Sequence, residues 1–155
     1  MEVLLITFLA SFLIWFMFFG LVVHWFIDGK IKKEQAFHAF LSALIAWAVS
    51  EMMKTLYPLP RPFILNGAKP LTFTFPIDGG FPSQHAAAAF AIGVTLWLHD
   101  RKIGLLYLLA ALGVGIGRIL SNVHFPVDVL VGAILGSTVA YFFERLHIYK
   151  YLTGK

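Results

Sequence analysis

The chain has 155 residues, of which 59% are hydrophobic and 13% charged, and its formal net charge is +4. The length allows one domain, and the composition differs from that of an average soluble protein. The absence of cysteine excludes disulfides and thiolate metal sites. The basic residues are scattered over short loops and form no patch, so we expect no nucleic-acid partner.

Apolar runs long enough to cross a bilayer recur along the chain and predict an all-α, membrane-embedded helix bundle. The first run is longer than the apolar segment of a signal peptide and no Lys or Arg precedes it, so we expect a retained transmembrane helix. We predict a single domain over residues 1–155 with five spans, namely Val3–Ile27, Ala36–Tyr57, Ser83–Leu98, Ile103–Leu120 and Pro126–Phe143.

A long loop, Pro58–Phe81, joins the second and third spans. It lacks helical periodicity and is broken by five prolines and by the pair Gly79-Gly80. Loops of this length are usually functional or disordered. The many Phe, Ile and Leu residues favour contact with the membrane interface. Two apolar segments, Phe63–Leu65 and Leu71–Phe75, are expected to cover the point where a lipid reaches the site.

The five spans place three polar segments on one membrane face, which we call the site face. This face carries four of the 12 Lys and Arg residues, and the opposite face carries the other eight. By the positive-inside rule, the site face lies outside the cytoplasm. The three segments are Lys54–Pro62 (KTLYPLPRP), Pro82–His85 (PSQH) and Arg118–Asp128 (RILSNVHFPVD).

The cations of these segments are suited to bind an anion. A charge at the centre of a membrane helix costs about 2.5–3.5 kcal/mol on insertion scales, so an accumulation of charges indicates a function. Lys54, Arg61 and Arg118 supply three positive charges, and arginine matches phosphate oxygens in bidentate fashion. Ser83 is expected to cap the third span, whose free backbone N–H groups add to the anion site.

The same segments supply groups for catalysis. Pro126 suits the first position of the fifth span, which places Asp128 in the first turn and His124 just outside it. A carboxylate there can orient the imidazole of His124 through one ring nitrogen and leave the other nitrogen as base or nucleophile. His85 is then available as general acid.

Taken together, the patterns K-x6-R-P, P-S-x-H and R-x5-H-x3-D resemble the signature of the type 2 phosphatidic acid phosphatase superfamily, in its membrane-embedded branch. The resemblance implies a phosphatase that needs no metal or other cofactor. It implies that His124 attacks phosphorus to give a phosphohistidine, that Asp128 orients His124, and that His85 protonates the leaving oxygen. The residues implied to bind the phosphate are Lys54, Arg61, Ser83, Gln84 and Arg118.

Two positions depart from the family pattern. Gln84 stands where glycine is common, and the branch that hydrolyses undecaprenyl diphosphate often departs from glycine at this position too. Gly117 stands where a serine usually precedes the arginine of the third motif, which removes a hydroxyl that could support the phosphate. Five spans is also one fewer than in many relatives.

We therefore expect an integral membrane enzyme that hydrolyses a polyprenyl diphosphate, such as undecaprenyl diphosphate, to the monophosphate and phosphate. The expected partners are the lipid substrate and the bilayer. One alternative is a phosphatase for phosphatidylglycerophosphate or phosphatidic acid. Another is a non-catalytic protein that binds anionic lipid, which would need the cations but not both His85 and His124.

The remaining polar groups are expected to have structural roles. Glu51 lies one turn before Lys54 and is expected to neutralise it when no substrate is bound. The other histidines fall on the cytoplasmic side or within spans, and they are His24, His38, His99 and His147.

Overall fold

The computed structural model describes residues 1–27 and 30–145, and these contain helices and loops but no strand. The first helical stretch comprises α1 (Glu2–Thr7), a π-helical turn (Phe8–Phe12) and α2 (Leu13–Phe26). The others are α3 (Lys30–Leu56), α4 (Pro62–Asn66), α5 (Gln84–His99), α6 (Arg101–Leu120) and α7 (Pro126–Arg145).

Four helices among the described residues are long and apolar enough to cross a membrane. They are Glu2–Phe26, Lys32–Leu56, Arg101–Leu120 and Pro126–Arg145. The prediction of an all-α membrane bundle is confirmed. The third predicted span corresponds to α5, whose 16 residues reach about 24 Å at 1.5 Å per residue. The helix packs against α2, α3, α6 and α7 and lies at the centre of the bundle.

One helix start and one additional helix differ from the prediction. The second span was predicted to begin at Ala36, but α3 already begins at Lys30. Its Lys, Glu and Gln residues are good helix formers, so the helix extends beyond the apolar stretch. The long loop contains the short helix α4, which begins with Pro62 at its first position, where a missing N–H costs nothing.

Small residues bring the starts of α5 and α7 together. Along α5, Ala86–Ala89 are buried, and Ala86 and Ala87 face two glycines of α7 spaced four residues apart. A Cβ on Gly132 would lie 2.5 Å from the backbone oxygen of Ser83, and one on Gly136 would lie 2.0 Å from that of Ala87. Such small-xxx-small spacing permits close approach of membrane helices. The Ser83 N–H donates to the Asp128 carbonyl at 3.0 Å, so the second and third motifs are in direct contact.

Candidate active site

A polar cavity of about 260 Å³ lies where α3 ends and α5 and α7 begin. Six of the eight predicted site residues line it, together with the loop segment Thr74–Asp78. These six are Lys54, Arg61, Gln84, His85, Arg118 and His124. Ser83 and Asp128 are buried beside the cavity. The structure therefore brings the three sequence segments to one place.

The three cations of the cavity are buried. Lys54 is 4% exposed, Arg61 1% and Arg118 6%. A cation that only anchors a helix end would extend its charged group into water. These three side chains instead hold their charges inside the protein, where only an anion or an acidic side chain can compensate them.

Arg61 is held by the backbone of two loops. Its Nε donates to the Asp78 carbonyl at 3.0 Å, and Nη1 donates to the Val123 carbonyl at 2.9 Å. Nη2 donates to the Asp78 carboxylate at 2.8 Å. These bonds orient the guanidinium plane even when no ligand is present.

Asp78 is the principal site residue that the motifs did not single out. Its carboxylate pairs with both Lys54 and Arg61. Burial alone would raise the pKa of this carboxyl, but the hydrogen bond and charge of Lys54 and the charge of Arg61 outweigh burial and lower the pKa to about 2. The sequence offered one hint of its role, since Asp78 is an acidic residue in a loop on the same membrane face as the three cations. No motif spacing links it to any of them.

Gln84 occupies the position of the family's glycine and joins Lys54 to Glu51. Its Oε1 accepts from Lys54 Nζ at 2.7 Å, and its Nε2 donates to the Glu51 carboxylate. The ion-pair partner of Lys54 is Asp78. Glu51 contacts Lys54 through the amide of Gln84, and its charge also acts on Lys54. That Glu51 helps to neutralise Lys54 without substrate stays a prediction.

The hydrogen bonds around His124 determine which ring nitrogen carries the proton. Arg61 Nη1 lies 3.2 Å from His124 Nε2. Arginine has donors and no acceptor, so Nε2 must be the acceptor. Burial, together with the positive charges of Arg118, Arg61 and Lys54, lowers the pKa of His124 well below its ordinary value. The imidazole is therefore neutral at pH 7, with its proton on Nδ1 and a lone pair on Nε2.

Asp128 lies on the other side of the His124 ring. Its Oδ2 is 3.5 Å from His124 Nδ1, and the same oxygen accepts from the Phe125 N–H at 2.8 Å. Among the described residues Nδ1 has no aligned hydrogen-bond partner, so its contact with Asp128 must tighten to become a hydrogen bond. Catalytic hydrogen bonds are often long without substrate.

Ser83 is the N-cap of α5, as predicted. Its hydroxyl accepts from the Ala86 N–H at 3.5 Å. The side chain is buried and helps to fix the helix start that carries Gln84 and His85.

Gly117 departs from the family's serine because no space exists for a side chain. A Cβ at this position would lie 2.7 Å from the backbone of Leu9 and of Ala10. The π-helical turn of the first span packs directly on this glycine. The next residue, Arg118, donates from Nη1 to the Ala10 carbonyl at 3.1 Å. The packing of the first span on Gly117 thus leaves no room for a serine side chain and also positions Arg118.

The long loop docks on the first span. Thr7 donates to the Leu71 carbonyl at 3.2 Å, and the Phe73 N–H donates to the Ser11 hydroxyl at 3.1 Å. The rings of Phe63 and Phe75 are 5.0 Å apart, and Phe75 also lines the polar cavity. This segment therefore forms one wall of the polar cavity.

An apolar groove of about 450 Å³ reaches the polar cavity from the side. Its walls come from α2, α3 and α5, and Gln84 and His85 line both spaces. No residue of Phe63–Leu65 or Leu71–Phe75 lines this groove, whereas Phe75 lines the polar cavity. That these segments cover the lipid's access point stays a prediction. The remaining lining residues are Ile14, Trp15, Phe18, Phe40, Ala43, Leu44, Trp47 and Ala88.

The other histidines lie away from the polar cavity. His24 is buried and hydrogen-bonded to Gln35 at 3.0 Å, which agrees with a structural role. His38 and His99 meet Glu144 at the opposite end of the bundle. His147 lies outside the described residues.

Comparison with known proteins agrees with the motifs. Residues 35–151 match the PAP2 superfamily. The chain is 34% identical over 137 residues to the bacitracin transport permease protein BcrC of Bacillus licheniformis, which covers 88% of this chain and 68% of that protein. It is 26% identical over 125 residues to the undecaprenyl-diphosphatase BcrC of Bacillus subtilis (strain 168), a match that covers 81% of this chain and 64% of that protein. The chain thus spans about two thirds of the length of these relatives.

Two solved structures are also similar. LpxE of Aquifex aeolicus matches with a TM-score of 0.71 and 31% identity, over 84% of this chain and 77% of that one. A transmembrane PAP2 type phosphatidylglycerolphosphate phosphatase from Bacillus subtilis shares the fold, with a TM-score of 0.59, 20% identity, and shares of 86% and 66%. The chain therefore belongs to the PAP2 superfamily, and the enzyme class predicted from its motifs, a membrane-embedded lipid phosphatase, is confirmed.

Proposed function

We propose that the protein hydrolyses a lipid diphosphate, preferably a polyprenyl diphosphate, to the lipid monophosphate and phosphate. The observation that carries the proposal is the junction at Gln84 and His85, where the polar cavity meets the apolar groove. A lipid diphosphate has this same division into a charged head and an apolar tail. The name of the Bacillus subtilis relative, an undecaprenyl-diphosphatase, supports the same substrate class.

The apolar surface extends far enough for a long tail. A second apolar space of about 520 Å³ lies between α2 and α3 and shares Trp15, Phe18 and Phe40 with the groove. It continues to Trp25 and Phe26 at the far end of α2. From Ile14 to Phe26 the helix rises about 18 Å, so several isoprene units can lie against the protein.

The size of the polar cavity favours a compact head group. Its volume of about 260 Å³ is slightly below the range of about 300–1,000 Å³ of small-molecule pockets, and the segment Thr74–Asp78 closes one side. A bare diphosphate fits this description better than a head group with a glycerol unit. Phosphatidylglycerophosphate and phosphatidic acid therefore remain the second candidates.

In the first step, the lone pair of His124 Nε2 forms a bond to the terminal phosphorus. The bond between that phosphorus and the bridging oxygen breaks, and His85 donates a proton to this oxygen. The lipid monophosphate leaves along the groove that His85 lines. Asp128 stabilises the positive charge that develops on the His124 ring.

In the second step, water attacks the phosphohistidine. His85, now neutral, accepts a proton from the water, the N–P bond breaks, and inorganic phosphate is released. Lys54, Arg61 and Arg118 and the start of α5 at Ser83 and Gln84 balance the charge of the phosphoryl oxygens.

We expect this reaction to need no metal ion. The three cations and the helix start already neutralise the phosphoryl group. Of the nearby carboxylates, Asp78 pairs with Lys54 and Arg61, and Asp128 faces His124. Magnesium in phosphate sites is usually held by carboxylates together with substrate oxygens, and here both carboxylates already contact side chains of the site.

The proposed orientation places the active site outside the cytoplasm. Three of the four cations of the site face are buried in the polar cavity, and only Lys69 is exposed. Their burial supports a role for these three cations in the site and not in setting topology. Without them, the excess of Lys and Arg on the opposite face is larger. A reporter fused after Lys155 should be active in the cytoplasm, and activity only outside the cytoplasm would contradict this orientation.

Phosphate release from a panel of lipids tests the substrate proposal. The purified chain would be assayed with a long-chain polyprenyl diphosphate, phosphatidylglycerophosphate, phosphatidic acid and a water-soluble diphosphate. We expect kcat/KM for the polyprenyl diphosphate to exceed that for the soluble diphosphate by at least about tenfold, since tail binding adds to affinity. Equal values would contradict the groove as tail site, and a preference for either glycerolipid would support the second candidates.

A further inference from the structure

Three groups that commonly bind metals meet at the end of the bundle opposite the active site. His38 lies on α3, His99 ends α5, and Glu144 lies near the end of α7. Glu144 Oε2 is 3.2 Å from His38 Nδ1, and Glu144 Oε1 is 3.2 Å from His99 Nε2. One ligand atom from each residue lies within 4.8 Å of the others. The proposed phosphatase reaction uses none of them.

The separations are close to those of a tetrahedral metal site. With Zn–N and Zn–O distances of about 2.0–2.1 Å, neighbouring tetrahedral ligands are about 3.3 Å apart. Each histidine nitrogen has this separation from a different oxygen of Glu144. If Glu144 binds through one oxygen, one nitrogen–oxygen separation is therefore already about right. The widest separation among the three ligand atoms, at most 4.8 Å, would have to shorten by up to about 1.5 Å on metal binding.

The hydrogen bond of His99 leaves two acceptors facing each other. His99 Nδ1 lies 2.9 Å from the Thr95 carbonyl, which can only accept, so the ring proton is on Nδ1. In a neutral ring, Nε2 then presents a lone pair to the Glu144 carboxylate at 3.2 Å. Either a proton or a metal cation must lie between them. A metal-binding histidine typically donates its other ring N–H to a carbonyl in this way.

We propose that His38, His99 and Glu144 bind one transition-metal ion, with zinc preferred. Two imidazoles and a carboxylate form a common zinc ligand set with an open fourth position. Magnesium and calcium prefer oxygen ligands and match the set poorly. His99 is 14 residues from His85 along α5, or about 21 Å, so the ion would not take part in the phosphatase reaction. It would instead link the ends of α3, α5 and α7.

Zinc binding to the metal-stripped full chain in detergent tests this proposal. The protein would carry a purification tag without histidine, and zinc would be titrated in competition with a chromophoric chelator. We expect one equivalent of zinc, an increase in Tm on binding, and no competition from magnesium in excess. Cobalt should give the visible d–d absorption of a tetrahedral site, a signal that needs no variant.

Two substitutions distinguish a metal site from a hydrogen-bonded cluster. His99→Ala removes one ligand, whereas Glu144→Gln keeps the size and hydrogen-bonding capacity of the side chain but lacks its charge. Each should weaken zinc binding by at least about 100-fold, and His24→Gln, which alters another buried histidine, should not. Phosphatase turnover should be the same with and without zinc.

Three results would overturn the proposal. They are the absence of stoichiometric zinc binding at micromolar concentration, unchanged affinity in both ligand variants, and a cobalt spectrum that is octahedral. Any of these would mean that His38, His99 and Glu144 form a hydrogen-bonded cluster and not a metal site.

Discussion

Asp78 and Arg61 form a salt bridge inside the active site, with 2.8 Å between Asp78 Oδ1 and Arg61 Nη2. The second carboxylate oxygen of Asp78 pairs with Lys54. Two of the three cations that we propose bind phosphate therefore share the single negative charge of one loop carboxylate. We propose that this carboxylate lies where a phosphoryl oxygen of the substrate would bind, so that substrate would have to displace it or share its partners.

Asp78→Asn should strengthen the binding of phosphate analogues. The backbone bonds of Arg61 to Asp78 and Val123 keep the guanidinium in place, while the competing negative charge is lost. We expect the inhibition constant of orthovanadate to fall about twofold to fivefold, as for a partly exposed ion pair of about 0.5–1 kcal/mol. Asp78→Glu, which keeps the charge, is the control. Weaker vanadate binding in Asp78→Asn would show that Asp78 positions Arg61 instead.

The ion pairs of Asp78 also determine how the effect of Asp78→Asn on vanadate inhibition should depend on pH. The folded pKa of Asp78 is lowered to about 2 from an ordinary value of 3.8. The stabilisation from pairing is therefore complete above about pH 3.8 and is lost as the pH falls toward 2. Between pH 5.5 and 8 the ratio of vanadate inhibition constants for Asp78→Asn and the unsubstituted chain should stay constant.

His124→Ala should abolish turnover and leave the anion site intact. The variant loses the nucleophile but keeps Lys54, Arg61 and Arg118, so vanadate should still bind in equilibrium measurements. His85→Ala should retain more activity on an aryl phosphate with an acidic leaving group, which needs no proton, than on a lipid diphosphate. Turnover of His124→Ala near that of the unsubstituted chain would refute the mechanism.

The lowered pKa of His124 predicts activity in mild acid. Protonation of the ring would remove its nucleophilic lone pair. Burial and three neighbouring cations lower the pKa of His124, so protonation requires a lower pH. The loss of kcat/KM that is due to His124 should therefore begin below about pH 6.5, the ordinary value for histidine. Measurement of kcat/KM from pH 5 to 8 checks this, and a loss centred at or above 6.5 would contradict a neutral, buried His124.

Gly117→Ser should destabilise the protein although it restores the family's usual residue. The new side chain would meet the backbone of Leu9 and Ala10, which cannot rotate away. We expect a loss of roughly 1–3 kcal/mol in the free energy of unfolding, visible as a lower Tm. Gly113→Ala is the matched control, because its Cβ would meet only flexible side-chain atoms, 3.1 Å from Leu13 Cδ2. Equal Tm changes in the two variants would contradict this explanation.

Leu44→Trp should fill the apolar groove and reduce the turnover of long-chain substrates. The effect should be at least about tenfold in kcat/KM for a polyprenyl diphosphate, with little change for a soluble diphosphate. Leu105→Trp on α6 is the control, since Leu105 is 49% exposed and Leu44 is 50% exposed, but only Leu44 lines the groove. Equal effects of both variants on the long-chain substrate would exclude the groove as tail site.

Excess EDTA should leave phosphatase turnover unchanged at a temperature well below the Tm. The proposed reaction draws its positive charge from side chains, whereas removal of an ion from His38, His99 and Glu144 would affect thermal stability alone. Parallel measurement of turnover and Tm with and without chelator separates the two sites. Loss of turnover with EDTA that magnesium restores would contradict metal-independent catalysis.

The sequence alone determined the class of fold and six of the residues that line the polar cavity. Apolar runs of membrane-spanning length leave few alternatives to a helix bundle, because backbone groups in lipid must be hydrogen-bonded within their own segment. Buried charges are costly in such a bundle, so the three polar segments identified six residues that line the cavity and two that lie beside it.

Tertiary structure decided which groups compensate these charges and where the cavity opens. The pairing of Asp78 with Lys54 and Arg61 depends on how the long loop folds back, which no local periodicity encodes. The exclusion of a side chain at Gly117 depends on the first span, more than 100 positions earlier in the chain. The groove forms where side chains of α2, α3 and α5 come together. Such contacts are set by packing between distant helices, where small residues such as Gly132 and Gly136 fix how closely the backbones approach.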